Sequence, residues 1–440
     1  MSGTREALAW LDAHVNLETG VGVPAGVSRR ATAPTLDRIR AMVELLGSPH
    51  LDYPAVHLTG TNGKTSVARM TASLLAASGL SVGSFTSPHL ERVNERIAWN
   101  GEPIGDADLD DVLARVAELE PFISDRPSYF EILTASALAR FADGAVEAAV
   151  VEVGLGGTWD ATNVVDGRVA VVTNVSIDHV EYLGPTREDI AAEKAGIVKP
   201  GATLVLGEPD PALARIFLGR GADRVVTRGV NFGVGADAPA HEGRLLDLYT
   251  PEARYPGLFL SLHGSHQADN AAAALAAAEC FLERPLDADL VADVFSSARS
   301  PGRLEVVGHQ PLVLLDGAHN VAGAHALLAA LGEEFPASPR TLVVGLLREK
   351  EPHEMLAALG VLEADRLVCC RPPSPRALDA EVVARAAVDL GVAQNRVATV
   401  DLVPEALARA LTTASPDGQV IVTGSLYVVG AARAALVHGI

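Results

Sequence analysis

The segment Leu58-Thr59-Gly60-Thr61-Asn62-Gly63-Lys64-Thr65-Ser66 constrains this chain more than any other. An apolar, strand-like run (Ala55, Val56, Leu58) leads into it, and a helix-like run (Val67, Ala68, Met70, Leu74, Leu75) follows it. A strand, a glycine-containing turn and a helix start, in that order, make a phosphate-binding loop. Glycines let backbone N–H groups turn inward around phosphates, and the helix N-terminus adds positive potential. Lys64 is placed to reach β- and γ-phosphates, and the hydroxyl of Thr65 to meet Mg²⁺. The loop is a shortened form, because the common pattern has a glycine where this chain has Leu58. The segment implies an α/β domain that binds ATP or GTP.

A chain of 440 residues implies about two or three domains. Lys and Arg number 35 against 55 Asp and Glu, a net charge of −20, which argues against a nucleic-acid surface. Cys280, Cys369 and Cys370 form neither a disulfide framework nor a metal-ligand spacing, so they read as small core residues in a reducing compartment. The N-terminus, with Glu6 and Asp12, lacks a basic-then-apolar signal pattern. The apolar run Ala271–Leu282 is too short to span a bilayer. The expectation is a cytoplasmic monomer with no membrane or nucleic-acid partner.

Residues 1–50 read as helical pieces broken by a loop at Gly20–Gly26, which Ser28, Arg29 and Arg30 follow. Beyond the phosphate loop, strand and helix alternate. Val82–Phe85, Ala148–Val153 and Val169–Val172 read as strands, and Asp106–Leu119 and Tyr129–Phe141 as helices. Continuous valine-rich runs suit strands buried on both faces of a parallel sheet. Short strands are expected at Ala202–Leu206 and Leu258–Leu262, and an alanine-rich helix at Asn270–Phe281. A seam falls near Ser296–Arg303, and alternation starts afresh with strands at Leu312–Leu315, Thr341–Gly345, Arg366–Cys370, Arg396–Val400 and Gln419–Val422. The expected fold is α/β: a P-loop-type, mostly parallel ATPase domain over residues 1–299, then a smaller Rossmann-like domain over residues 300–440. A ligand cleft between two such domains is the natural expectation.

Several polar groups fall at strand ends, where open α/β sheets bind ligands. Ser87-Pro88-His89 follows the second strand. Glu152, in Glu152-Val153-Gly154-Leu155-Gly156-Gly157, ends another, and a carboxylate there suits Mg²⁺. Asp178-His179 follows the next, although a lone histidine is more often structural. Lys194 ends a helix and, taken alone, reads as a solvated side chain. Asp316-Gly317-Ala318-His319-Asn320 follows the first strand of the second domain, with Asn320 able to cap a helix.

In order along the chain, these motifs resemble the Mur ligase superfamily, and within it the folylpolyglutamate synthase/dihydrofolate synthase family. The matching segments are Thr59–Lys64, Ser87-Pro88-His89-Leu90, Tyr129-Phe130-Glu131, Glu152–Gly157, Asp160-Ala161-Thr162-Asn163, Asp178-His179, Glu193–Ile197, Pro301-Gly302-Arg303, Asp316–Asn320 and Gly424–Tyr427. The resemblance implies a ligase that uses ATP to join L-glutamate to dihydropteroate or a folate. It implies an acyl phosphate and domain closure that keeps water from it. It implies one or two Mg²⁺ ions, with K⁺ as a further candidate cation. By motif, Ser87, Glu152 and His179 resemble the metal ligands; the hydroxyl of Thr65, which departs from the family, leaves the first Mg²⁺ to Thr65, Ser87 or both. Lys194 resembles a lysine carried as a carbamate. Lys64, Lys194 and His319 take the catalytic roles. Gly60, Thr61, Asn62, Gly63, Lys64, Thr65, Ser66, Asn270, Arg303 and Asp316 resemble the ATP-binding set. Ser128, Tyr129, Phe130, Glu131, Trp159, Asp160 and Ala161 resemble the lining of the pterin-bearing substrate's site. His319 and Ser425 are candidates for the glutamate site.

There are departures. Thr65 stands where many relatives have Gly, and Thr158 where many have Arg, which removes a positive charge near the expected substrate. Pro34-Thr35-Leu36-Asp37-Arg38 matches the substrate-covering segment only loosely. Two other readings compete: a Mur-type ligase acting on another carboxylate acceptor, and a non-catalytic ATP-binding module.

Overall fold

The computed structural model describes residues 3–19, 35–336 and 338–438. The loop expected at Gly20–Gly26, the following Ser28, Arg29 and Arg30, and Pro34 lie outside the described residues. The chain divides into two compact units. The first comprises Met1–Asp237, Leu245–Leu260 and Gln267–Ala298, and the second Ala238–Arg244, Ser261–His266 and Arg299–Ile440.

The first unit is built on eight strands: β1 (Ala55–Thr59), β2 (Val82–Phe85), β3 (Ile97–Trp99), β4 (Glu102–Pro103), β5 (Ala148–Glu152), β6 (Gly167–Val172), β7 (Thr203–Leu206) and β8 (Arg224–Thr227). Their order is β4-β3-β2-β5-β1-β6-β7-β8. All neighbours from β2 to β8 pair parallel, while β3 and β4 add an antiparallel edge. β1 and β5 are buried along their whole length, as central parallel strands with covered faces must be. From β1 the chain runs outward past β5 to β2, and later crosses to β6 on the opposite side. Such a reversal opens a crevice at the carboxyl ends of the strands. Leu58, Val56, Val150 and Val171 supply the apolar body of the sheet. His57, Thr59 and Glu152 are buried polar residues in the same strands. Burial of that kind needs partners.

Three further strands, β9 (Gly233–Ala240), β10 (Gly243–Tyr249) and β11 (Arg254–Leu260), form a sheet in the order β11-β10-β9. The sequence reading placed only Leu258–Leu262 here as strand. Gly233-Val-Gly-Ala-Asp-Ala-Pro-Ala has neither a valine run nor clean alternation, so its strand state rests on pairing with β10 rather than on local propensity. The β3–β4 hairpin was missed for the same reason. The helix read at Asn270–Phe281 starts earlier, at Ser265, and runs to Leu282.

The second unit carries β12 (Glu305–His309), β13 (Leu312–Leu315), β14 (Arg340–Val344), β15 (Arg366–Cys369), β16 (Val397–Thr399) and β17 (Gln419–Thr423). Their order is β12-β13-β17-β14-β15-β16, parallel except for the β12–β13 hairpin. Its core gathers Leu314, Leu327, Leu342, Leu356, Leu367 and Ile421. Cys280, Cys369 and Cys370 are free and buried. Among the described residues, no helix is long and apolar enough to cross a membrane.

Candidate active site at the strand ends

The loop 60–63 leaves the end of β1, and the helix Lys64–Ala77 starts at once. Gly63 adopts φ +84°, and a Cβ there would lie 2.4 Å from Asn270 Oδ1. Only glycine meets both demands, a left-handed backbone and close approach. The loop is fastened to the segment after β6. Thr61 N donates to Asn174 O at 2.9 Å, and Asn62 N to Asn174 Oδ1 at 3.0 Å. Thr173 Oγ1 and Asn174 Nδ2 donate to Asn62 O at 2.6 and 3.0 Å. Thr61 Oγ1 donates to Ser176 O at 3.1 Å. Asn174 is therefore an organiser of the loop. Its sequence signal is partial: Thr173, Asn174, Ser176, Asp178 and His179 follow a valine strand, interleaved with Val175 and Ile177.

Two lysines converge on one carbonyl. Lys64 Nζ donates to Gly60 O at 3.0 Å and to Thr61 O at 3.3 Å. Lys194 Nζ, from the last residue of the helix Arg187–Lys194, donates to the same Gly60 O at 2.8 Å. Lys194 is only 4% exposed, so its reading as a solvated helix-end side chain is corrected. The helix end packs against the glycines after β5, where a Cβ on Gly157 would lie 2.8 Å from the carbonyls of Glu193 and Lys194. Burial, then the neighbouring Lys64 charge, brings the Lys194 ammonium down to about 7, against the opposing pull of Asp178, Glu193 and Asp160.

Beside the lysines sits a buried carboxylate. Thr65 Oγ1 donates to Glu152 Oε1 at 2.9 Å and approaches Oε2 at 3.1 Å. Ser87 N donates to Glu152 Oε2 at 3.2 Å. The ends of β1, β2 and β5 thus bring Thr65, Ser87 and Glu152 together. This donor set is hard oxygen, which suits Mg²⁺. Among the described residues, no cluster of three His, Cys, Asp or Glu side chains could hold a metal by itself. His179 lies on the stretch after β6, half-buried, at φ 50°, with its N–H on Asp178 Oδ1 at 2.8 Å.

The expected substrate segments also lie at this end of the sheet. Ser128 caps the helix Tyr129–Asp143 in a reciprocal box with Glu131. The Glu131 carboxylate takes Arg38 Nε at 3.1 Å on both oxygens. Phe130 lies against Gly154, where a Cβ would be 2.5 Å from the ring. Asp160 accepts from Leu155 N at 2.9 Å and from Thr162 N at 3.0 Å. Burial outweighs these bonds and raises its carboxyl to about 6. Trp159 N donates to Glu193 Oε1 at 3.3 Å, and Ala161 opens the turn Ala161–Val164. Thr158 fills the arginine position differently: its Oγ1 donates to Glu193 O at 3.0 Å, tying the glycine turn to the Lys194 helix. Asn270 is buried, with Nδ2 on Gln267 Oε1 at 3.0 Å, so its carbonyl oxygen faces Gly63.

In the second unit, Asp316 follows β13 and accepts from Leu304 N at 2.8 Å and Ala318 N at 2.9 Å. Burial raises its carboxyl, opposed by Arg303 and His266. Arg303 reaches Gly317 O at 3.4 Å and His319 Nδ1 lies 2.8 Å from the same oxygen. Asn320 caps the helix Val321–Glu334 through Gly323 N. Ser425 follows β17, buried, and accepts from Tyr427 N at 3.3 Å.

Two family models match the chain. Residues 58–278 match the Mur ligase middle domain, and residues 302–426 the Mur ligase glutamate ligase domain. A dihydrofolate synthase/folylpolyglutamate synthase of Mycobacterium tuberculosis is 41% identical over 91% of this chain and 89% of its own length. The structure of a folylpolyglutamate synthase of that organism, complexed with ADP and AMPPCP, superposes with a TM-score of 0.90 at 38% identity, covering 99% of this chain and 98% of the other. A bifunctional folylpolyglutamate synthase/dihydrofolate synthase of Yersinia pestis, complexed with AMPPNP and a Mn ion, gives 0.83 at 30% identity, covering 98% of each chain.

Proposed function

The chain belongs to the folylpolyglutamate synthase/dihydrofolate synthase family of Mur-type, ATP-dependent ligases, and we propose that it adds L-glutamate to dihydropteroate, to reduced folates or to both. One observation carries the reading furthest: Lys64 and Lys194 meet on the Gly60 carbonyl, next to Thr65, Ser87 and Glu152. A loop lysine beside a backbone cradle, with a second, easily neutralised lysine against the same carbonyl, is an arrangement for a polyanion. A carboxylate must approach a triphosphate, and the two repel. Lys64 and the loop N–H groups screen that repulsion and stabilise the charge as the acyl phosphate forms. A Mg²⁺ ion held by Thr65, Ser87, Glu152 and His179 would neutralise phosphate charge. The remaining roles are assigned on the same basis: Gly60–Ser66, Asn270, Arg303 and Asp316 to ATP; Ser128–Glu131 and Trp159–Ala161 to the acceptor; His319 and Ser425 to glutamate. A second Mg²⁺ or a K⁺ is a further candidate occupant. The functional domains are assigned to residues 1–299 and 300–440.

Lys194 fits a carbamate. Its amine is neutral for much of the time near pH 7, because burial and Lys64 disfavour the ammonium. Reaction with CO₂ would replace a cation beside Lys64 with an anion, turning repulsion into attraction. Incubation with ¹³C-bicarbonate should give a carbamate carbon resonance that Lys194→Met lacks.

The test of function is phosphate release that requires ATP, Mg²⁺ and glutamate together, with dihydropteroate and tetrahydrofolate compared. Activity with only one acceptor class defines a monofunctional enzyme. Release with a UDP-linked carboxylate and none with any pterin would overturn the folate reading.

A further inference from the structure

His57 is an anomaly in the centre of the first sheet. It lies on β1 three residues before Gly60, fully buried, where Val56 and Leu58 are apolar. Gly167 on β6 leaves it room, since a Cβ there would lie 2.9 Å from the His57 Cβ. Its Nε2 is 2.9 Å from Thr162 Oγ1, and Thr162 Oγ1 donates to Asp160 Oδ1 at 2.5 Å. The proton directions follow. A carboxylate only accepts, so the single hydroxyl proton of Thr162 points at Asp160. The Thr162 oxygen must then accept from His57, which places the imidazole proton on Nε2. His57 Nδ1 has no hydrogen-bond partner among the described residues. An orphaned buried acceptor is costly, and a valine would avoid it. The donor at Nε2 is what an apolar residue could not supply.

We propose that His57 is a positioning residue for acceptor specificity: through Thr162 it holds the Asp160 carboxylate in a fixed orientation toward the pterin-bearing substrate. The proposal rests on the folate-ligase reading above. It links the strand that carries the phosphate loop to the segment Trp159–Ala161 through three side chains, each at most 3% exposed. Asp160 belongs to the segment assigned above to the acceptor, whereas His57 and Thr162 act only through it.

The test compares Thr162→Val and His57→Leu with the conservative Thr162→Ser and His57→Gln in the full-length enzyme. Loss of a hydrogen bond serving a charged group should raise the acceptor KM about tenfold in the first two. The ATP KM and the kcat at saturating acceptor should stay within about threefold, because those steps do not use the relay. Thr162→Ser and His57→Gln should restore most of the acceptor KM. The Thr162→Val/His57→Leu double variant should be no worse than the poorer single one, since both cut the same chain. ¹⁵N NMR of His57 should show a neutral ring protonated at Nε2. An Nδ1-protonated ring, or an unchanged acceptor KM in Thr162→Val, overturns the proposal. So does an equal rise in every KM, which marks a purely structural role. If the wild-type enzyme ligates no pterin, the functional reading falls and the specificity claim with it; the ring tautomer then still decides whether the hydrogen-bonded chain exists.

Discussion

The strand ends of the two units organise charge in opposite ways. In the first, ionic groups gather over short distances: the half-buried Lys64 and the buried Lys194 at the Gly60 carbonyl, and the buried Glu152 carboxylate under the Thr65 hydroxyl and Ser87 N–H. In the second, the buried Asp316 carboxylate spends both oxygens on backbone N–H groups, and Asn320 and Ser425 do the same for the starts of helices. The first edge stores unlike and like charges that a polyanion can rearrange. The second is a set of backbone anchors that holds side chains such as His319 in place. A site for phosphoryl chemistry needs the former, whereas a site for an amino-acid substrate can be built from the latter.

The comparison can be broken by substitution. Lys64→Ala should have the largest effect, cutting ligase turnover by about 10²- to 10³-fold, as loss of one preorganised charge donor does. Turnover near wild type would remove the phosphate role. Lys194→Met should lower ligation by less than Lys64→Ala does, while ATP binding, followed by calorimetry, persists. It should also raise the melting temperature of the CO₂-free enzyme. Burial and Lys64 bring the native amine down to about 7 from the ordinary lysine value of 10.5, so the unfolded chain binds more protons between those values. Stability therefore rises with pH across that window. The advantage of Lys194→Met should be greatest below pH 7 and fade toward 10.5. A destabilised variant would show that Lys194 is not the strained cation described here.

Effects in the second unit should be smaller and selective. His319→Ala should raise the glutamate KM about tenfold, the cost of one charge-assisted bond, and leave the ATP KM alone. A matched rise in both would blur the distinction between the two edges. Asn320→Ala should cost about 1 kcal/mol of stability by removing an N-cap, measured by denaturant unfolding. Because the cap serves the helix start and not the ligand, kcat should change little.

Much of the first unit was legible because its signals are local. Valine runs mark buried parallel strands, and Gly60–Lys64 sits where strand meets helix. Glu152, Ser87 and His179 follow strands, and strand ends in such a sheet share one edge. Lys194 was misleading, because its burial depends on Gly157 and Gly60, far away in sequence. Asp160 was found through resemblance, but the histidine and threonine behind it were not. Their meaning lies in a proton direction that appears only when β1 and the 161–164 turn are side by side. Of the sheet β9–β11 only the end of β11 was legible, as Leu258–Leu262; in β9 glycine and proline outweigh any periodic pattern, and pairing makes those residues strand.

The sequence by itself determined the fold class, the phosphate loop and the set of polar residues delivered to one sheet edge, since periodicity and glycine placement act over a few residues. Tertiary structure alone decided which of those residues meet. It joined two lysines on one carbonyl, placed a threonine hydroxyl on Glu152, and made His57 a donor rather than a stray core polar group. Burial sets those outcomes, and burial is a property of contacts between segments far apart in the chain, as the pairs Thr65–Glu152 (87 apart), His57–Thr162 (105) and Gly60–Lys194 (134) show.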